Sequence, residues 1–350
     1  MAEVATAYDL GRDQLAGLLA GEPAFRARQV WDGLYRRGLR PEEMTELPAP
    51  LRHRLAAELP AALAPAAVTE ADRGETTKWL WRLADGATVE SVLMRYPGRA
   101  TVCVSSQAGC AMGCTFCATG QAGYTRHLTT GEIVEQVVAA RRAAAPARLS
   151  NVVFMGMGEP LANYDRVWRA VEVLQAELGL GARHLTVSTV GLVPGIDRLA
   201  GERLQVTLAV SLHAARDELR DQLVPVNRRY PLGALVAACT RYRERAGRRL
   251  SFEWALIDGV NDTARDVGEL AALARPLRAH VNLIPLNPTP GYPVRGTPPD
   301  RVRQFRAGLV AAGVTATVRD TRGSEIDAAC GQLAARTADA GAGAGRCREG

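Results

Sequence analysis

The sequence predicts an α/β fold, a partial (β/α)6 barrel preceded by a small N-terminal helical domain. Short runs rich in β-branched residues alternate with segments of helical length, which is typical of repeated βα units around a parallel sheet. Six such units are too few to close an eight-stranded barrel, so we expect a barrel open on one side. Before these units, apolar residues recur at helical spacing, which predicts the helical domain.

Composition and charge limit the class of protein. The chain has 350 residues, 47% of them hydrophobic, which is enough for one barrel-sized core. It has no run of eighteen apolar residues, and its start lacks the basic and then apolar pattern of an export signal, so we expect a cytoplasmic protein without a membrane segment. The formal charge of +6 suits an RNA partner, although the arginine and alanine bias of a GC-rich genome would produce it too.

Residues 1–68 are expected to form the helical domain, because Leu15 and Leu18 and then Val30 and Trp31 follow helical spacing. The proline- and alanine-rich stretch at its end, 60–69, is interpreted as a linker.

Residues 69–96 are expected to extend the barrel with a β-hairpin. Two alternating segments flank Asp85-Gly86, a pair that favours a tight turn between antiparallel strands.

The barrel itself is expected over residues 97–333. Its six predicted strands are 101–106, 151–155, 184–189, 205–212, 252–257 and 280–285. The best predicted helices are 130–142, 165–178, 232–245, 264–273 and 299–312, and one more strand is predicted at 314–318. Residues 334–350, with their Ala-Gly repeats, are expected to be a disordered tail.

Three cysteines follow the first barrel strand with the spacing C-x3-C-x2-C: Cys110, Cys114 and Cys117. Loops that follow barrel strands build active sites. Three thiolates can hold a [4Fe–4S] cluster and leave its fourth iron open. An open iron can chelate the amino and carboxylate groups of S-adenosylmethionine and pass an electron to its sulfonium. The spacing therefore predicts a cluster that cleaves this cofactor to an adenosyl radical.

A zinc knuckle is the alternative use of the same cysteines. Tetrahedral zinc usually takes four ligands, often in C-x2-C pairs, and the nearby fourth candidates are Cys103 and His127. The spacing, the strand-end location and Phe116 beside the last cysteine favour the cluster.

Further motifs accompany the cysteine loop along almost the whole chain. They are FRARQVW at 25–31, MGMGEP at 155–160, VST at 187–189, SLH at 211–213, NP at 287–288, TRG at 321–323 and IDAACGQL at 326–333. With these motifs the chain resembles the radical S-adenosylmethionine RNA adenine methyltransferases, the RlmN and Cfr family.

The resemblance implies a set of S-adenosylmethionine contacts, most of them at strand ends: Gly158, Glu159, Ser188, Ser211, Leu212, His213 and Asn287. Without the resemblance, the two serines would be satisfied strand hydroxyls and His213 a capping histidine.

The resemblance also implies methylation of adenosine carbon 2 through two thiols, with two S-adenosylmethionine molecules consumed. Cys330 matches the cysteine that carries the methyl group, and Cys103 matches the thiol that attacks its sulfur to form a disulfide and release the product. Glu90 matches the proton acceptor at the ring carbon. Without the resemblance, both thiols would be structural, as Cys239 is expected to be, and Glu90 a solvated charge. Cys347 has no evident role.

The implied substrate is 23S ribosomal RNA, with transfer RNA left open as a second one, and the implied electron donor is of the flavodoxin type; we expect a monomer. The helical domain resembles the accessory RNA-binding part of the family, and arginines such as Arg26 and Arg28 suit that role, although a solvated face would explain them too. His127 stands where the family commonly has asparagine, which leaves room for another target. Two alternatives remain: carbon-8 methylation of the antibiotic-resistance type, and a non-catalytic zinc-dependent RNA-binding protein.

Overall fold

The computed structural model describes residues 6–247, 249–287, 289, 292, 294–319, 323, 326–328 and 331–333. The predicted methyl-carrying Cys330, together with Cys347 and the predicted tail 334–350, lies outside the described residues.

One ten-stranded sheet organises the described part of the chain. Its strands, numbered in chain order with a separate two-stranded hairpin included, are β1 (Leu63–Ala71), β2 (Thr76–Leu83), β3 (Thr88–Tyr96), β4 (Arg99–Cys103), β5 (Gln107–Gly109), β6 (Tyr124–His127), β7 (Leu149–Phe154), β8 (Leu185–Thr189), β9 (Thr207–Ser211), β10 (Leu250–Leu256), β11 (His280–Pro285) and β12 (Ala316–Val318). The order across the large sheet is β1-β2-β3-β4-β7-β8-β9-β10-β11-β12. Because β1 and β12 each have one neighbour among the strands that the structure describes, the sheet is an open, partial barrel, as predicted.

The pairing changes direction at β4. The first four strands pair antiparallel, and from β4 onward each strand of the large sheet runs parallel to its next neighbour in the sheet. Parallel strands need crossover connections, and helices supply them. All carboxyl ends of the parallel strands therefore face one edge of the sheet.

Eleven α-helices are present in the described part of the chain. They are α1 (Arg12–Leu18), α2 (Phe25–Asp32), α3 (Ala49–Glu58), α4 (Ala118–Ala122), α5 (Thr130–Ala144), α6 (Tyr164–Ala176), α7 (Val193–Leu199), α8 (Asp217–Leu223), α9 (Leu232–Ala246), α10 (Ala264–Ala274) and α11 (Pro299–Ala311). None of those described has the length and apolar character needed to cross a bilayer.

The prediction of a linker at residues 60–69 is wrong. Leu63–Ala71 forms β1, which pairs antiparallel with β2 along its length. Seven of its nine residues are exposed, so it is an edge strand without the alternation that marks a half-buried one. The strand also crosses the predicted boundary at residue 68, whereas the predicted hairpin appears as β2 and β3 around Asp85-Gly86.

The N-terminal helices pack on the barrel through aromatic and charged contacts. Trp31 is 6% exposed, and its Nε1 donates to Glu177 at 2.7 Å, just after α6. Arg141 and Arg142 of α5 donate to carbonyls of the N-terminal segment at 3.1 and 3.0 Å. These contacts fix the helical segment against α5 and α6.

Candidate active site

A short hairpin encloses the cysteine loop. Strand β5 follows β4 closely and pairs antiparallel with β6, and the loop between them carries the three cysteines. The backbone N–H of Cys110 donates to the carbonyl of Gly123 at 2.7 Å, which closes the loop at its base. Gly109 has a positive φ of 75°, and a Cβ there would lie 2.1 Å from the same carbonyl, so this closure requires glycine.

One cavity lies at the carboxyl edge of the parallel strands and brings together most of the residues predicted from the sequence. Those lining it are Cys103, Cys110, Cys114, Cys117, Gly158, Glu159, Ser188, Ser211, His213 and Asn287. We call it the central cavity. Its position is where parallel α/β folds bind ligands.

The cysteines of the loop sit in a water-poor environment. Burial raises the pKa of Cys110 to about 12 and the pKa of Cys114 well above its usual range. These two thiols would therefore stay protonated near neutral pH unless a positive charge bound them. Iron supplies such a charge, since metal binding deprotonates coordinating thiols.

A single metal ion fits the loop less well than a cluster does. Within the described residues, no three His, Cys, Asp or Glu side chains converge as one ion requires. A cubane cluster makes no such demand, because its cysteines bind separate irons. His127, one of the two predicted fourth candidates for zinc, instead accepts a hydrogen bond at Nδ1 from Gln107 Nε2 at 2.9 Å.

The Gly-Glu-Pro turn after β7 approaches the start of the cysteine loop. Gly158 has φ 102°, and a Cβ there would lie 2.6 Å from Cβ of Gln107. The next N–H, that of Glu159, donates to Oε1 of Gln107 at 2.8 Å. A glycine is therefore required at 158 both for the backbone conformation and for the close approach.

The Glu159 carboxylate is buried and held by backbone. It accepts from the N–H groups of Leu161 at 3.0 Å and Val190 at 2.9 Å. Burial raises its pKa to about 7, and these backbone bonds oppose that rise. A carboxylate with free lone pairs on the cavity wall can accept from an ammonium group such as that of S-adenosylmethionine.

His213 is neutral and fixed in one orientation. Its Nδ1 accepts from the N–H of Ala255 at 2.9 Å, so the ring proton is on Nε2. Burial and the nearby Arg220 lower its pKa to about 3. Its backbone φ is 59°, and its ring meets Phe116 of the cysteine loop edge to face at 4.7 Å. It can offer a hydrogen bond or a stacking face, but no proton transfer near neutral pH.

Two predicted residues do not line the central cavity. Leu212 is fully buried, and its carbonyl accepts from Arg220 Nε at 3.0 Å, so it belongs to the support behind the wall. Glu90 lies on β3, where residues two apart share a face. Val92, two residues along from Glu90, lines the cavity and pairs in register with Cys103. Glu90 is thus on the face of β3 that carries Val92, although it does not itself line the cavity.

The motifs did not reveal three further residues of the site. Glu253 of β10 and Arg319 after β12 line the cavity. A charged residue inside the apolar run of β10 was the available signal for Glu253. Arg220, fully buried, donates to carbonyls of Val190 and Ser211, so it joins the ends of β8 and β9. Nothing local in the sequence predicts that role.

The comparisons with known proteins find radical SAM proteins and RNA methyltransferases. The family model described as Radical SAM superfamily matches residues 104–274. A probable dual-specificity RNA methyltransferase RlmN from Parafrankia sp. (strain EAN1pec) is 56% identical over 349 residues, covering 93% of this chain and 91% of the relative. A protein of the same name from Chloroflexus aurantiacus is 53% identical over 348 residues, covering 94% and 92%. The crystal structure of a radical SAM methyltransferase from Sphaerobacter thermophilus matches with a TM-score of 0.91 and 54% identity, covering 95% of this chain and 99% of that one.

Proposed function

Because this chain belongs to the RlmN family of radical S-adenosylmethionine RNA methyltransferases, we propose that it methylates carbon 2 of an adenosine in 23S ribosomal RNA through a methylated cysteine. The relatives are named dual-specificity enzymes, so the proposal includes a second RNA class, transfer RNA. A non-catalytic zinc protein does not fit relatives that are named methyltransferases.

One observation carries the proposal: the three loop cysteines, Cys103 and Gly331 line the same cavity. When bound there, a [4Fe–4S] cluster and two S-adenosylmethionine molecules would supply one methyl group by polar displacement and one adenosyl radical by reductive cleavage. The reductant is a one-electron donor of the flavodoxin type.

Cys110, Cys114 and Cys117 are the proposed cluster ligands. The proposed S-adenosylmethionine contacts are the residues inferred from the family: Gly158, Glu159, Ser188, Ser211, Leu212, His213 and Asn287. The central cavity supports six of these seven by direct lining, and Leu212 by its place in the wall behind Ser211.

Cys330 is the proposed carrier of the methyl group, and the described residues beside it support this role. Ala328 and Gly331 line the cavity. The carbonyl of Gly331 accepts from the N–H of Ala118, directly after the last cluster cysteine, at 2.8 Å. The described residues on both sides of position 330 thus line the cavity that the three loop cysteines also line.

Glu90 on β3 and Cys103 on β4 are the residues proposed to release the product. The methyl group on the Cys330 sulfur loses a hydrogen atom to the adenosyl radical, and its carbon then bonds to carbon 2. This adduct must lose one electron, which the oxidised cluster would take up, and the ring proton. Glu90 accepts the proton. The Cys103 thiolate attacks the Cys330 sulfur, so a sulfur–sulfur bond forms as the sulfur–carbon bond breaks, and the released methylene carbon takes up a proton to become the methyl group. Cys103 is 8% exposed and lines the cavity, as this attack requires.

The N-terminal helices are proposed to bind the RNA. Arg28 and Arg36 have side chains 83% and 73% exposed, so they can reach phosphates. Both contact Asp32 at i,i+4 spacing, an exposed pairing weak enough to exchange for a phosphate.

Mass spectrometry of RNA nucleosides tests the proposal. Cells with the gene should contain 2-methyladenosine that a deletion strain lacks, and the Cys330→Ala variant should not restore it. Detection of 8-methyladenosine instead would establish the alternative chemistry at carbon 8. Full 2-methyladenosine with Cys330→Ala would rule out the two-thiol route.

A further inference from the structure

Lys78 is the single lysine of a chain that has 43 lysines and arginines together. In a composition so biased toward arginine, the use of lysine at this one position is informative. Lysine presents a compact ammonium with three donors, whereas arginine presents a broad planar fork. At position 78 one nitrogen lies near both a carboxylate oxygen and a backbone carbonyl, an arrangement that suits a compact ammonium.

That lysine lies against the proposed proton acceptor. Lys78 Nζ is 3.1 Å from Oε1 of Glu90, and the two side chains are 14% and 3% exposed. In the antiparallel pairing of β2 and β3, Lys78 stands opposite Val92, and Leu80 stands opposite Glu90. The ion pair is therefore diagonal across the two strands, on the face that carries the cavity-lining Val92.

The same ammonium also reaches the C-terminal segment. Lys78 Nζ donates to the carbonyl of Asp327 at 3.4 Å, three residues before Cys330. A second contact holds this segment to the same sheet edge, since the N–H of Gly323 donates to Asp72 Oδ2 at 3.0 Å. Lys78 thus joins the carboxylate on β3 to the chain that precedes the methyl-carrying cysteine.

Stability alone gives a weak reason for this arrangement. Burying an ammonium and a carboxylate costs desolvation that their attraction often fails to offset, and apolar replacements are frequently neutral. A paired charge facing a reaction site does have a use, because it fixes where the carboxylate points.

We propose that Lys78 is a positioning residue that holds the Glu90 carboxylate for removal of the ring-carbon proton and ties it to the segment bearing Cys330. The inference rests on the proposed function of Glu90 and Cys330. Lys78 acts after cofactor cleavage, so its loss should affect resolution of the RNA adduct and leave the earlier steps intact.

The experiment compares Lys78→Met, Lys78→Gln, Lys78→Arg and Glu90→Gln in full-length, anaerobically reconstituted protein with a 23S RNA transcript. Arg82→Met is the matched control, since Arg82 is an exposed cation four residues along the same strand and on the same face. The readouts are 5′-deoxyadenosine, methyladenosine and the covalent protein–RNA adduct on a denaturing gel.

We expect Lys78→Met and Lys78→Gln to lower methyladenosine formation at least tenfold. The amount of 5′-deoxyadenosine that they form should stay within about twofold of wild type. The adduct should accumulate in these two variants and in Glu90→Gln alike, and Lys78→Arg should recover part of the activity. Methyladenosine formation within twofold of wild type in Lys78→Met overturns the inference. So does a parallel loss of deoxyadenosine in both neutral variants, because that is the result of a purely structural role. If wild type itself makes no methyladenosine, the proposed function fails instead.

Discussion

The side-chain oxygen of Gln107 accepts a hydrogen bond from the N–H of Glu159 at 2.8 Å, joining the strand before the cysteine loop to the turn after β7. The amide nitrogen of the same glutamine donates to Nδ1 of His127 at 2.9 Å. Gln107 is 2% exposed and Glu159 is equally buried. One glutamine thus couples the loop expected to hold the cluster to a carboxylate expected to hold the cofactor.

Replacing Gln107 with Met should weaken S-adenosylmethionine binding about tenfold. The buried N–H of Glu159 would lose its acceptor, and an unsatisfied buried donor costs about 1–3 kcal/mol. Equilibrium dialysis with anaerobically reconstituted protein measures the effect. His127→Asn is the control, since asparagine can still accept from Gln107 and should change the affinity by less than about twofold. Unchanged affinity in Gln107→Met would show that this bond does not shape the site.

Replacing Gly158 with Ala should abolish cofactor binding or destabilise the turn. Its φ is 102°, and the added Cβ would lie 2.6 to 2.7 Å from atoms of Gln107. Gly179→Ala separates the two causes, because Gly179 also has a positive φ, of 69°, but open space around the added Cβ. We expect both variants to lose some melting temperature and Gly158→Ala alone to lose cofactor affinity. Equal affinities in the two variants would contradict the close approach.

Glu135 should make the protein less stable as the pH rises. It lies on α5, its Oε2 accepts from the N–H of Ala62 at 2.8 Å, and burial raises its pKa to about 7 from an ordinary value of 4.5. The folded state therefore binds this proton more tightly than the unfolded chain, so stability present below pH 4.5 is lost as the pH rises toward 7.

Melting curves of Glu135→Gln at pH 5, 6.5 and 8 test this dependence. The variant cannot ionise, so its melting temperature relative to wild type should increase with pH, by about 1–2 °C for each 1 kcal/mol regained. Glu58→Gln removes an exposed carboxylate from nearby α3 and should show no such trend. A difference between Glu135→Gln and wild type that stays constant over this range would contradict the raised pKa.

The sequence predicted what local patterns determine. Strands such as β11 and helices such as α5 appear at the predicted positions because alternation and helical spacing reflect which face is buried. The cysteine spacing and the strand-end motifs also predicted which residues line one cavity, since carboxyl ends of parallel strands meet at one edge.

Other features depend on partners distant in sequence. Strand β1 is mostly exposed and so carries no alternation, and α7 and α8 have only seven residues each. The contacts of Lys78 with Glu90 and of Gln107 with His127 arise from strand pairing, which no single segment encodes. Arg220 can likewise be buried because it donates to three backbone carbonyls, those of Val190, Ser211 and Leu212.

Iron content and cofactor cleavage test the central claim most directly. Protein reconstituted without oxygen should be brown, with about four irons per chain, and should release 5′-deoxyadenosine from S-adenosylmethionine on reduction. Cys114→Ala should lose both properties, whereas Cys239→Ala, which removes a buried cysteine of α9 outside the loop, should keep them. Colourless wild-type protein that binds zinc and leaves the cofactor intact under reduction would contradict the account.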